Sequence, residues 1–245
     1  MDYELLKTRR DDIVRDGATF EAYGRPGELI DADHPKIVAY SRRVAGEGDD
    51  RKKALRLYYA VRDEVRYDPY NTPMKREAYR ASATLAAGHG FCINKAGLLA
   101  AVCRASGIPA RVGYADVRNH MTTRRLSELM GSDMFYYHGY AELWLDGRWV
   151  KATPAFNREL TEKFGLKPLD WDGVADSIYH PFDLSGRRHM EYLAYRGVFA
   201  DIPFDEIRGA FRHYYPRMTR QQEEMPLGGD FGAEGELEAT GKGRK

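Results

Sequence analysis

The densest apolar pattern in the chain follows Cys92, where Ile93, Ala96, Leu99, Ala100 and Cys103 recur at helical spacing. That spacing predicts a helix buried in a core. Gly88 and Gly90 lead into it, Ser106, Gly107 and Pro109 end it, and Ala110–Val117 then reads as a buried strand. Upstream, weaker periodicity predicts a first helix around Tyr3–Val14. A second starts at Asp33, His34 and Pro35 and carries Ile37, Val38, Tyr40 and Val44 to the glycines at 46 and 48. A third spans Arg51–Val65, with Ala54, Leu57, Tyr58 and Val61 on its apolar face. Pro69 keeps Asp68 out of helical geometry, and a short helix or turn over Glu77–Ala86 brings the chain to the glycine loop.

Downstream, Arg118–Asp133 is polar, with a helical turn predicted at Arg125–Met130. Met134–Leu145 is rich in aromatic and branched residues and reads as a strand. Asp146 and Gly147 predict a two-residue hairpin turn, and Arg148–Thr153 the returning strand. In that register Thr153 faces Tyr140 and lies diagonal to His138 on the same side of the sheet. Asn157–Phe164 reads as a short helix with an asparagine cap. Trp171–Pro181 is irregular, and Arg187–Tyr195 and Phe204–Tyr215 are expected to be helical. The Gly-, Glu- and Lys-rich stretch 221–245 is expected to be a disordered tail that buries nothing. The expected organisation is therefore one domain over residues 1–220, with its core at about 50–157, and no internal repeat.

Composition changes this picture little. A chain of 245 residues, 43% of them hydrophobic, can bury one sizeable core. Its 38 basic and 37 acidic residues nearly cancel, which removes any bulk signal for nucleic acid or an anionic membrane. No apolar run approaches the roughly 20 residues needed to cross a bilayer, and the charged N-terminus lacks the apolar stretch of a secretion signal. With two cysteines there is no disulfide framework, so the expected compartment is the cytoplasm. On one helix Cys92 and Cys103 would stand about 16 Å apart along the axis, too far for the Cα separation of about 7 Å that a disulfide tolerates.

Cys92 is the residue with chemical promise. A cysteine at a helix N-terminus meets unpaired backbone N–H groups and the positive end of the dipole, which favours a thiolate. A thiolate enzyme also needs a base, and imidazole suits that role at neutral pH. Of seven histidines, His138 stands beside Gly139, which permits close approach of another group, while His89 is a rival because it lies three residues from Cys92. Thr153 is the candidate third group that would orient the imidazole. Against this stands a purely structural reading of both Cys92 and His138, with Cys103 an inert core residue. No zinc-ligand spacing, acidic calcium loop or phosphate-binding glycine loop is present, so no metal or cofactor is expected.

The segment from Gly90 through Cys92, Asn94, Lys95 and Gly107 to Arg111 resembles the cysteine helix of the transglutaminase-like superfamily. His138–Asn157 is similar to that family's histidine strand and the strand after it, and Arg66, Tyr67 and Asp68 resemble its stretch upstream of the cysteine. The resemblance covers about residues 50–157. It implies an α+β, papain-like cysteine-protease fold, with N-terminal helices packed on an antiparallel sheet. It also implies Cys92 as the nucleophile and His138 as general base and acid in attack on an amide through a thioester. The family's third group is an aspartate, and here that position is Thr153, with Asn157 a further candidate acceptor. The implied activity is hydrolysis of a peptide, protein or small amide substrate rather than cross-linking. The alternative is a catalytically silent domain that binds a peptide or protein partner.

Overall fold

The computed structural model describes residues 1–4, 6–120, 122–178, 186 and 189–239. Its centre is helix α4, Cys92–Ala105, in which every residue from Cys92 to Arg104 is buried. Three helices lie before it: α1 at Pro35–Ala45, α2 at Asp50–Glu64 and α3 at Ala81–Ala87. Local chemistry starts and stops them. The His34 ring accepts the Lys36 amide ahead of α1, and the Asp49 carboxylate accepts the Lys52 amide ahead of α2. Gly88 ends α3 at φ 68°, a left-handed conformation that a side chain would strain. Between these helices, β1 (Arg66–Tyr67) pairs in parallel with β2 (His89–Gly90).

The main sheet has four antiparallel strands in the order β5-β4-β3-β6. They are β3 at Ala110–Asn119, β4 at Met134–Leu145, β5 at Arg148–Ala152 and β6 at Met190–Phe199. The fold is thus α+β, with helices on an antiparallel sheet. The hairpin register is the expected one: Leu145 lies opposite Arg148, and Ala141 opposite Ala152. Its turn residues, Asp146 (φ 51°) and Gly147 (φ 80°), both take the positive angles of a two-residue hairpin. The buried Lys95 ammonium reaches from α4 to the carbonyls of Arg62 (2.8 Å) and Val65 (2.5 Å), so it tethers the end of α2 where the chain enters β1.

Helix α5, Arg124–Met130, occupies the polar stretch between β3 and β4. The short helix α6, Arg158–Lys163, follows β5, and α7 (Phe204–Tyr214) follows β6.

Three expectations are corrected. The described residues among 3–14, all but 5, are not helical; they run as irregular chain that bridges Thr8 to Tyr195 and Val14 to Val198 of β6. Of the segment read as a helix over 187–195, residues 190–195 belong to strand β6, which pairs with β3, while 187 and 188 lie outside the described residues. The strand's tyrosines, Val198 and Phe199 favour a pleated surface, and pairing with residues 71 to 87 positions earlier in β3 decides the matter. Of the tail expected to be disordered over 221–245, residues 221–239 carry the end of α8 (Pro216–Glu224) and α9 (Phe231–Ala239), and 240–245 lie outside the described residues. Phe231 anchors it, 4% exposed between the rings of Tyr67, Tyr70 and Phe164. No described helix is long and apolar enough to cross a membrane.

Candidate active site

Cys92 opens α4, and the helix enters against the middle of β4. A Cβ added at Gly139 would stand 3.0 Å from Ile93 Cα and 3.2 Å from the Cys92 carbonyl oxygen. Only a residue without a side chain lets the helix and the strand come this close. The approach brings the Gly139 amide to the Cys92 sulfur, beside the amides of Ile93 and Cys92 itself. His138 precedes Gly139, so the thiol and the imidazole project into one cleft.

That cleft is apolar and small. Its volume is about 40 Å³, enough for no more than a few waters. Tyr67, Pro69 and Phe91 form one wall, and Leu126, Met130 and Phe135 another. Phe211, Tyr215, Met218 and Gln222, from α7 and α8, close the rest. Cys92 is 5% exposed and His138 2%. Tyr67 also borders a second, more polar cleft of about 290 Å³, with Arg66, Asp68, Lys163 and Asp230 on its rim.

Burial decides the protonation states. The three amides near the Cys92 sulfur draw its pKa down, as a helix start should, but removal from water outweighs them and pushes it up to about 11. Burial, with His189 adding to it, pushes His138 down to about 4. The resting pair is therefore a neutral thiol beside a neutral imidazole. This corrects the expectation of a thiolate: the helix terminus acts in the expected direction and is overruled by the segments that cover it.

The third position differs from the simple reading as well. Thr153 follows the last register pair of the hairpin and is fully buried, but it does not line the cleft. Its hydroxyl donates to the Ser177 carbonyl at 2.9 Å, and its own carbonyl accepts from the Tyr58 hydroxyl at 3.3 Å. Asn157 is committed elsewhere too, since its Oδ1 accepts the Tyr67 amide at 3.1 Å. Cys92 and His138 are thus brought together, while Thr153 and Asn157 hold the frame around them. His89 sits on β2 and does not line the cleft, and His180 lies outside the described residues.

Sequence reasoning missed the residues from α7 and α8. Phe204, Ile207, Phe211 and Tyr215 follow helical spacing, which signals a packed face but not what it packs against. It also missed His189, which is 3% exposed and depresses the His138 pKa.

Residues 38–154, just under half of the chain, match the family model of the transglutaminase-like superfamily. Two solved structures are similar in part. One is a proposed cysteine protease from Cytophaga hutchinsonii, 24% identical, covering 57% of this chain and 43% of its own, with a TM-score of 0.42. The other is a proposed protease from Parabacteroides distasonis, 14% identical, covering 54% of this chain and 26% of its own, with a TM-score of 0.37. The chain therefore aligns to less than half the length of either. No curated protein matches it.

Proposed function

We propose that the transglutaminase-like core of this chain is a thiol enzyme that cleaves amide or peptide bonds through a thioester on Cys92. The observation that carries this reading is the shared cleft, with the Cys92 sulfur under the Gly139 amide and His138 lining the same space. In the reaction His138 takes the thiol proton as sulfur attacks the carbonyl carbon. The Cys92 N–H at the helix start stabilises the developing oxyanion. His138 then gives the proton to the departing amine as the C–N bond breaks. Water, activated by the same imidazole, adds to the thioester and releases the acid. We favour hydrolysis over transfer to an amine because water is always available as the acceptor.

Burial pushes the Cys92 thiol up and the His138 imidazole down, so proton transfer between them is uphill in the cleft as it stands. The reactive form must therefore be more hydrated than the closed one. A second reading, a silent domain that binds a peptide, draws support from the same closure and from the commitment of the Thr153 hydroxyl to Ser177.

The test is mass-spectrometric analysis of a mixed peptide and peptide-amide pool incubated with the protein, with and without methylamine. We expect hydrolysed products that disappear in Cys92→Ser and His138→Gln. Persistence of turnover in Cys92→Ser refutes the catalytic role. If no product forms and the pH profile of Cys92 alkylation is the same in His138→Gln, the silent reading stands instead.

A further inference from the structure

Chain from the far end of the molecule helps to line the Cys92 cleft. Helix α7 belongs to the body: Phe204, Ile207, Ala210 and Phe211 are buried, and the Tyr215 hydroxyl fixes its end by donating to the Met134 carbonyl at 2.7 Å. Beyond Tyr215 the character changes. Tyr215 leaves helical geometry (φ −128°, ψ 54°) and Pro216 starts α8 as a separate segment. From 216 to 239 the buried residues of the two helices are only Met218, Thr219, Gln222, Phe231 and Gly235. A segment with so little buried apolar surface belongs to the low-stability end of a structure.

Yet this segment closes the cleft. Met218 and Gln222, one helical turn apart on α8, both line it. The Gln222 carboxamide donates to the Pro69 carbonyl at 3.0 Å, and the Gln222 carbonyl accepts the Met74 amide at 3.0 Å. The stitching continues along the 225–230 connection. The Leu227 amide bonds the Tyr70 carbonyl at 3.0 Å, and the Arg125 guanidinium donates to the carbonyls of Leu227 and Gly228, each at 2.9 Å. Gly228 (φ 65°) and Gly229 (φ 98°) turn the chain into α9. There Glu234 accepts from Arg125 (2.9 Å) and the Tyr70 hydroxyl (2.6 Å), while Phe231 plugs the space between Tyr67, Tyr70 and Phe164. Tyr67 is the wall shared by both clefts, so the plug and the candidate nucleophile bear on one side chain.

We propose that residues 216–239 are a lid that shuts the Cys92 cleft in the free protein, with α8 occupying the place of a substrate and Phe231 with Glu234 acting as its latch. The hinge is Tyr215–Pro216. The inference rests on Cys92 being the reactive thiol, but it concerns access rather than turnover. A substrate must displace Met218 and Gln222 before it meets the sulfur, and release of the latch admits water to Cys92 and His138.

The chain carries its own control, because Cys103 lies on the same helix and is completely buried. Alkylation of full-length protein with iodoacetamide, read at each cysteine by peptide mass spectrometry, separates lid opening from unfolding. In the parent protein both cysteines should label slowly. Phe231→Ala should speed Cys92 labelling at least about tenfold and leave Cys103 unlabelled. The milder Glu234→Gln, which removes charge but no bulk, should give a smaller increase of the same selectivity. The lid is overturned if neither variant changes the Cys92 rate, or if Cys103 labels in step with Cys92 in both. It is equally overturned if Cys92 in the parent protein labels as fast as a free thiol. Because labelling needs no catalysis, a selective increase without any turnover would uphold the lid while refuting the enzyme reading.

Discussion

The Asp116–Arg196 pair holds the backbone that aims His138, and breaking it should cost several kcal/mol. Asp116 is 1% exposed on β3 and Arg196 fully buried on β6. Their forked contact has N–O distances of 2.9 and 2.6 Å. Asp116 stands where the β3–β4 register shifts between Ala115 and Val117. Its Oδ1 also accepts the amide of Tyr137, a non-glycine residue at φ 57°, immediately before His138. The Arg196 guanidinium lies 4.9 Å from the centre of the Tyr137 ring, and the Tyr137 hydroxyl donates to Glu206 at 2.7 Å. Asp116→Asn keeps the size and an acceptor for the Tyr137 amide but leaves the Arg196 charge buried and uncompensated, with Lys7 only 4.0 Å from the same carboxylate. Loss of one partner from a buried pair costs about 3–5 kcal/mol. For a chain of this length that lowers the melting temperature by roughly 6–20 °C, at about 2–4 °C per kcal/mol. Urea denaturation followed by far-ultraviolet circular dichroism measures it. The double variant with Arg196→Met should recover most of the loss, because the orphaned charge is gone. A single-variant cost below about 1 kcal/mol, or a double variant no more stable than the single, refutes the reasoning.

Two further perturbations test the site's packing and protonation. Gly139→Ala places a methyl against the first turn of α4 and should cost about 1–3 kcal/mol of stability; a neutral melting curve contradicts so close an approach. His138 is buried neutral with its pKa pushed down to about 4 against an ordinary 6.5. Between those values the unfolded chain binds the extra proton, so stability is intact above pH 6.5 and is lost as pH falls toward 4, by roughly 3 kcal/mol. His138→Gln should flatten that part of the pH–stability curve, and an unchanged slope shows that another group is responsible.

Local signals were legible and distant partners were not. Helix α4 announced itself because apolar residues at helical spacing lie between a glycine loop and a stop signal. The β4–β5 register followed from two turn residues, Asp146 and Gly147. Strand β6 was missed because Leu193 and its neighbours mix helical and strand character, and what settles them is β3. The bonding of Thr153 was missed because its acceptor, the Ser177 carbonyl, lies 24 residues on in irregular chain. The docked end of the chain was missed because composition averages over residues: 221–245 is polar as a whole, yet Phe231 alone supplies an aromatic anchor and Glu234 an ion pair.

These distant contributions share one consequence, which concerns the order of events at Cys92. The amides at the start of α4 are fixed by local sequence and always favour the thiolate; burial opposes them and comes partly from helices more than a hundred residues later. With α8 in place burial prevails, and ionising the pair costs more than the amides return. Moving Met218 and Gln222 away removes part of that burial without disturbing a single amide near the sulfur. On the proposed reading opening precedes ionisation, because a charged pair is costly to form in a cleft that holds only a few waters. On that reading a substrate that enters under α8 performs two tasks at once. It presents the carbonyl carbon to the sulfur, and it exchanges a neutral, inert cysteine for one whose protonation the helix terminus can govern.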